Sequence, residues 1–403
     1  MSATQAEPEY GTSARPGVRE KLILAAESLF ASAPPGDVTA KQIAQEAGVN
    51  HGQIHHYFGS KDGLIAATLS DDQGQYRIER RGDAQSFPDT LDANYRASAW
   101  RTLAYVAASG TWRQPPFEPS PVVKVLAEQR AADVGARPTD TPVLADVAAA
   151  LALQRGWWIF RDIIETALGE FDPDIAAIRS EVTTRSSRLF DESIPLGAIG
   201  DEVAQPSLPA IDGTPRGRDQ VRASLMSAAI ELLAEHAPSK VTTKQIAAHA
   251  GVNHGQVHHY FASKQHLIAQ SIRHAADPLV QAIESSAIPS PVPIRTERRL
   301  SIWRTLAHIA STEEWVDEAY ERAPVVRKNV EIVASRLDKP TTATTVHAQV
   351  AVVHALELGW AVYRNIIEYG ITAIEGDVHP VRKRLAAMSC RLVDDAVRVN
   401  PKT

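Results

Sequence analysis

Residues 39–61 read Thr39-Ala-Lys-Gln-Ile-Ala-Gln-Glu-Ala-Gly-Val-Asn50-His-Gly-Gln-Ile-His-His-Tyr-Phe-Gly-Ser-Lys61, and residues 242–264 repeat them at an offset of 203 without a gap. Of 23 aligned positions 18 are identical, and the changes fall at 40, 45, 46, 54 and 59. Thr39 is suited to N-cap a helix, and Lys41–Ala47 forms a short helical run with Ile43, Ala44 and Ala47 on one side. Gly48 is the expected stop, because only glycine takes the left-handed conformation after a helix at little cost. Asn50 is placed to cap a second helix, His51–Phe58. On it Ile54 and Phe58 face inward at i, i+4, with Tyr57 beside them. The other face carries His51, Gly52, Gln53, His55 and His56; it is polar, and without a side chain at 52 its backbone can approach another surface closely.

Helix, glycine turn, helix is the helix-turn-helix arrangement, whose second helix enters a major groove of double-stranded DNA. The run Ile43-Ala-(x)2-Ala-Gly-Val-Asn-(x)-Gly-(x)-Ile-(x)-His-Tyr-Phe-(x)-Ser-Lys61 resembles the DNA-binding signature of the TetR family of transcriptional regulators. One position departs from it. Three residues after the helix glycine the family usually has a phosphate-contacting Tyr, and this chain has His55 and again His258. Carried over residue by residue, the resemblance implies DNA contacts from Thr39, Lys41, Asn50, His51, Gly52, Gln53, His55, His56, Tyr57 and Lys61. In the second copy it implies them from Thr242, Lys244, Asn253, His254, Gly255, Gln256, His258, His259, Tyr260 and Lys264.

The repeat covers whole halves. Val221–His236 matches Val18–Ala33, Trp303-Arg304 matches Trp100-Arg101, and Gly359-Trp360 matches Gly156-Trp157, all at the same offset. Residues 66–99 and 269–302 share almost nothing, whereas the reading helices are nearly identical. Both heads are therefore expected to bind one kind of half-site, with bodies free to differ. Ser193–Gly217 holds prolines and glycines without periodicity and reads as a linker. The expected division is a tail at 1–17, a head at 18–62 and a body at 63–192, then the linker, a head at 218–265 and a body at 266–399. Helices are expected over Val18–Ser32, from Ser60 to about Arg81, Asp89–Ser109, Pro121–Ala132, Thr141–Leu168 and, capped by Asp172, Pro173–Glu192.

The fold expected is all-α: two TetR-like units, each a three-helix head on a larger helical body. Proteins of that family normally bind DNA as homodimers, so a chain holding both protomers is expected to act as an intramolecular pseudo-dimer. The resemblance also implies a four-helix dimer interface from the last two helices of each body. Trp157, Arg161 and Glu165 lie on one helix face, as do Trp360, Arg364 and Glu368. Stacking of Arg on Trp with an Arg–Glu pair accounts for both sets as interface or core. Central helices of the family line a small-molecule effector pocket. Trp100, Arg101, Trp303 and Arg304 stand open between that pocket and the core.

Composition narrows the classes. With 403 residues, 44% apolar and 22% charged, the chain suits two or more globular domains. At a net charge of −6 it is no polycation, so any nucleic-acid binding must be local. Residues 15–69 hold five bases and five acids, whereas 216–273 hold seven bases and three acids, so the second head is the more basic. Cys390 is the single cysteine, which excludes an intramolecular disulfide and fits the cytoplasm. No uncharged apolar run approaches 18 residues, so no membrane span is expected. His51 and His55 have a zinc-clasping spacing, but Gly52 stands where a metallopeptidase helix has its Glu, and no third ligand is evident. No phosphate loop, activated nucleophile or carboxylate pair supports an enzyme, and no cofactor or metal is expected. The rival reading is a ligand sensor working through protein–protein contact; its reading helices would have drifted apart, and these have not.

Overall fold

Helical periodicity governs the whole chain, and all regular structure among the described residues is helical. The computed structural model describes residues 17–70, 97–109, 117, 121–194, 196, 215–236, 238–284, 300–310 and 324–393. The first half comprises α1 (Val18–Ser32), α2 (Ala40–Glu46), α3 (Gly52–Phe58), α4 (described over 61–70), α5 (Ala97–Ser109), α6 (Pro121–Val134), α7 (Thr141–Leu168) and α8 (Ile175–Ser186). The second comprises α9 (Arg218–Glu235), α10 (Thr243–His249), α11 (Gly255–Tyr260), α12 (Lys264–Glu284), α13 (Leu300–Ala310), α14 (Pro324–Leu337), α15 (Thr344–Thr372) and α16 (Val378–Val393). The expected tail up to residue 16, most of the linker, residues 71–81 of the helix expected from Ser60, residues 89–96, and the side chains of Trp100, Trp303 and Arg304 lie outside the described residues.

Each head closes on a small apolar core. Leu22, Ala26, Phe30, Ile43, Ile54 and Leu64 are buried in the first, and Leu225, Ala229, Leu233, Ile246, Val257 and Leu267 in the second. Ser60 and Ser263 cap the helix after each head, accepting from Gly63 N at 3.0 Å and from His266 N at 2.9 Å. The heads differ where glycine is lost. Gly59 ends α3 with φ +71°, but Ala262 stands at the equivalent place. Alanine's Cβ disfavours that conformation. Helix α11 ends at Tyr260 instead, and Phe261 turns extended, its ring 2% exposed.

In the first body α7 has the expected limits, Thr141–Leu168. It is apolar on more than one face because most of it is enclosed. Residues Thr141–Phe171 are long and apolar enough to cross a membrane by composition, yet 89% of their most apolar window is buried inside the protein. The last helix of this body corrects the sequence reading. Asp172 does not cap it; its backbone is left-handed, φ 51°. Asp174 is the cap, accepting from Ala177 N at 3.0 Å, and α8 starts at Ile175. It gives way at Ser186 to a 3-10 turn over Ser187–Phe190.

The halves meet where α7 crosses α15. A Cβ on Gly156 would lie 1.8 Å from the Ala355 carbonyl oxygen, and one on Gly359 would lie 1.8 Å from that of Ala152. Ala152 and Ala355 are equivalent at the 203 offset, as are Gly156 and Gly359. The contact is therefore isologous, each residue meeting the same partner's counterpart. Helix α8 packs on α15 and α16 on α7, which completes a four-helix cluster. Polar bonds tie its edges: Arg391 donates to the carbonyls of Leu189 and Ile194, both at 2.9 Å, and Arg327 pairs with Glu170.

The expected Trp–Arg–Glu sets are modified here. Trp157 and Trp360 are core residues, 4% and 1% exposed. Arg161 lies over Trp158, 5.6 Å from the ring centroid, rather than over Trp157. Glu165 pairs not with Arg161 but with Arg179, which donates twice at 2.7 Å. A planar guanidinium on the facing helix offers the carboxylate two parallel bonds. In the second half the expected Arg364–Glu368 pair forms at 3.1 Å, and Arg382, the counterpart of Arg179, joins it at 2.5 and 2.6 Å. Gly156→Ala and Gly359→Ala should each cost about 1–3 kcal/mol, toward the upper end because the obstacle is backbone. Denaturant unfolding checks this against Gly169→Ala, where a Cβ meets nothing within 4 Å.

Candidate nucleic-acid interface

Two capping devices fix each reading helix. Thr39 and Gln42 form a capping box: Gln42 N donates to Thr39 Oγ1 at 3.2 Å, and Thr39 N donates to Gln42 Oε1 at 2.8 Å. Thr242 and Gln245 repeat it at 3.2 and 2.8 Å. Gly48 and Gly251 turn the chain with φ +65° and +68°. Asn50 Oδ1 then accepts from Gly52 N, and Asn253 Oδ1 from Gly255 N, both at 2.9 Å. Ile54 and Val257 anchor the helices inward, 3% and 1% exposed.

These anchors orient the remaining faces. His51, Gly52, His55, His56 and Tyr57 are exposed, and Gln53 is half-buried. In the second head His254, Gly255, His258 and His259 are exposed, with Gln256 and Tyr260 half-buried. Tyr57, expected beside the inward residues, is instead 43% exposed and meets His56 edge to face at 4.9 Å. Tyr260 and His259 repeat that contact at 4.8 Å. A Cβ on Gly52 would meet only Asn50 Oδ1, so the helix presents bare backbone there. Lys41 and Lys244 are exposed at the first turns of α2 and α10. The heads differ in detail: His254 Nε2 lies 3.0 Å from Thr243 Oγ1, a bond Ala40 cannot make in the first head.

Not every expected residue lies on this free surface. Thr39 and Thr242 are exposed but engaged as caps. Lys61 and Lys264 are half-buried, and burial lowers both ammonium pKa values below the ordinary lysine value. Lys264 donates to the Pro238 carbonyl. Asp37 lies within electrostatic reach of both lysines. That aspartate accepts from Ser239 Oγ at 2.5 Å and lies 3.4 Å from Lys240 Nζ, so the heads touch. Sequence reasoning missed this contact; its one signal is the opposite charge at the equivalent positions 37 and 240. Arg101, left open between core and effector pocket, donates to the Ala31 carbonyl and docks α5 on the end of α1. In the second half Thr305 Oγ1 donates to the Ile230 carbonyl at 3.3 Å, docking α13 on α9. Among the described residues no group of three or more His, Cys, Asp or Glu is arranged to hold a metal ion.

Two small helical heads, each offering an exposed polar helix behind a glycine turn, define a helix-turn-helix protein with duplicated reading surfaces. The sequence profile of the family described as "Bacterial regulatory proteins, tetR family" matches residues 22–68 and 225–270. The chain is 31% identical over 167 residues to the HTH-type transcriptional repressor Rv3405c of Mycobacterium tuberculosis, covering 40% of this chain and 85% of that protein. It is 51% identical over 51 residues to the HTH-type transcriptional regulator BetI of Brucella anthropi, covering 13% of this chain and 26% of that protein. The chain belongs to the tetR family of bacterial regulatory proteins and is a DNA-binding transcriptional regulator.

No Arg or Lys stands on either reading helix, so bidentate guanine contacts cannot come from them. Gln53 and Gln256 have the amide that pairs with adenine, worth about 1–3 kcal/mol of discrimination. Gln53→Ala should relax one position in one half-site only. Competition binding with single-base variants of a duplex selected from a random pool checks it; uniform weakening would make Gln53 a phosphate contact.

Proposed function

We propose that this regulator is a ligand-responsive repressor that binds a near-palindromic operator as a single-chain pseudo-dimer. Its heads are 18–62 and 218–265, its bodies 63–192 and 266–399, and 193–217 joins the halves. The observation that carries the reading is the α7–α15 crossing, where equivalent residues of the halves meet as two protomers of a symmetric dimer would. Coverage supports it: 40% of this chain spans 85% of a repressor, so such a relative corresponds to about one half. Two nearly identical reading helices suit two similar half-sites in successive major grooves. Tethering replaces a bimolecular pairing step with an intramolecular one. DNA binding should stay hyperbolic down to low protein concentration, with one chain on two half-sites by analytical ultracentrifugation. Two chains on that duplex would refute the pseudo-dimer.

The effector belongs, in this reading, to the second body. Asn329, His347, His354 and Glu357 stand where the first half has Leu126, Leu144, Leu151 and Gln154. His354 Nδ1 donates to the Val350 carbonyl at 2.9 Å, and its Nε2 accepts from Asn329 Nδ2 at 3.4 Å. Glu357 keeps some exposure, but its Oε1 is buried with no hydrogen-bond partner among the described residues. Buried polar groups are normally satisfied, so this oxygen is suited to an outside donor. The effector is a small molecule carrying a hydrogen-bond donor, and calorimetry should give one molecule per chain. Its signal passes from α5 and α13 to the heads through the Arg101 and Thr305 contacts.

Titration follows from the same groups. Burial raises the Glu357 carboxyl pKa well above 4.5. From 4.5 up to that raised value the folded chain keeps a proton the unfolded chain has lost, so stability falls as pH rises. Burial lowers His347 and His354 below 6.5, so their contribution runs the other way: stability is lost as pH drops below 6.5. Glu357→Gln should therefore raise the melting temperature more at pH 8 than at pH 5, by about 2–4 °C for each kcal/mol recovered. Calorimetric scans at the two pH values check it.

A further inference from the structure

Asp37 and Lys240 are equivalent positions of the two halves, and they face each other across the seam between the heads. In a symmetric pair of identical chains, such a position would face its own copy, and an acid or a base there would repel itself. Here the two copies have opposite signs. The Asp37 carboxylate lies 3.4 Å from Lys240 Nζ and accepts from Ser239 Oγ at 2.5 Å. Ser239 itself replaces Gly36, which has no hydroxyl to donate. The departures from the repeat thus supply both halves of one contact.

Its location gives the contact leverage. Asp37 lies two residues before the Thr39 capping box, and Lys240 two residues before that of Thr242. Each box starts the helix-turn-helix, so displacing either loop displaces a reading helix. The first loop is also held from behind, since a Cβ on Gly36 would lie 2.8 Å from the Tyr105 ring on α5. We propose that Asp37, Ser239 and Lys240 form a latch that sets the separation of the two reading helices, and with it the half-site spacing the protein accepts. The inference rests on the pseudo-dimer reading. These are positioning residues and touch no DNA. Lys240 keeps 55% and Asp37 25% of side-chain exposure, and an exposed pair contributes little as glue. It acts by favouring one head separation over close alternatives, in heads already joined through the four-helix cluster.

Charge reversal tests it. The full chain is compared with Asp37→Lys, Lys240→Asp and the double exchange Asp37→Lys/Lys240→Asp. The probe is the duplex that the unaltered chain selects from a random pool, with versions carrying one base pair more or fewer between half-sites. Each single change should reduce discrimination between spacings by about three- to fivefold, the scale of an exposed pair. The double exchange should recover part of what Asp37→Lys loses, in part only because a lysine at 37 also faces Lys61 and Lys264. Unchanged discrimination in both single variants, or no recovery in the double exchange, overturns the latch. A second readout needs no DNA. Spin labels at Gln45→Cys and Ala248→Cys, both exposed, in a Cys390→Ser background report the distance between heads. The single changes should broaden that distribution and the double exchange narrow it; a distribution unmoved by charge overturns the proposal. If the pool yields no duplex, the DNA reading fails, while the spin-label result still decides the latch.

Discussion

Backbone against backbone at Gly156 and Gly359 is the constraint on which the rest of this structure depends. No other residue type fits, because a Cβ at either place would intrude on a carbonyl at 1.8 Å. Close approach there lets the flanking residues of α7 and α15 bury one another: Leu151, Trp157, Phe160, Leu356, Trp360 and Tyr363 are all at most 4% exposed. Each large apolar side chain so buried contributes about 1.5–3 kcal/mol, against about 0–1 kcal/mol for an exposed ion pair such as Arg327–Glu170. Packing at the crossing therefore outweighs the polar fringe, and the fringe chiefly fixes register.

Symmetry is kept where two copies must do one job and abandoned where they need not. The glycine crossing, the capping boxes, the Asn50 and Asn253 turns, and the Glu165–Arg179 and Glu368–Arg382 pairs all recur at the 203 offset. The interiors diverge, with Leu151 answered by His354 and Phe160 by Tyr363. In a homodimer, a histidine placed in one interior appears in both. A fused chain carries no such requirement, so each interior can hold its own polar groups, Asp146 and Arg155 in the first and His347 and His354 in the second. The same freedom allows Asp37 to face Lys240.

The parts legible in the sequence are those set by local chemistry. Gly48 announces its turn because few residues tolerate φ +65°, Thr39 announces its cap, and the long Ala-rich stretch, apolar on more than one face, gives α7 its limits. Asp172 misled because Pro173 suits the first turn of a helix, yet Asp174 also carries a capping carboxylate and the chain uses that one. Arg179 was missed as the partner of Glu165 because the choice between Arg161 and Arg179 depends on where α8 packs. Lys61 and Lys264 fit the DNA-contact pattern locally, and their half-burial depends on how the folded chain surrounds them. Apart from the local choice of cap, what stays unread is contact between different helices.

On the proposed reading, the tight crossing also determines how one effector site could act on two heads. A loosely packed interface would absorb a displacement of the second body in side-chain rearrangement. Glycines at backbone contact leave no such slack, because close-packed interfaces transmit strain rather than dissipate it. A shift of α15 must then carry α7 with it, and through the first body α5, which grips α1 at Ala31. Asymmetric binding and a symmetric response are compatible for that reason. In the proposed arrangement the interior that differs between the halves receives the ligand, and the glycine crossing, which recurs in both, distributes its effect.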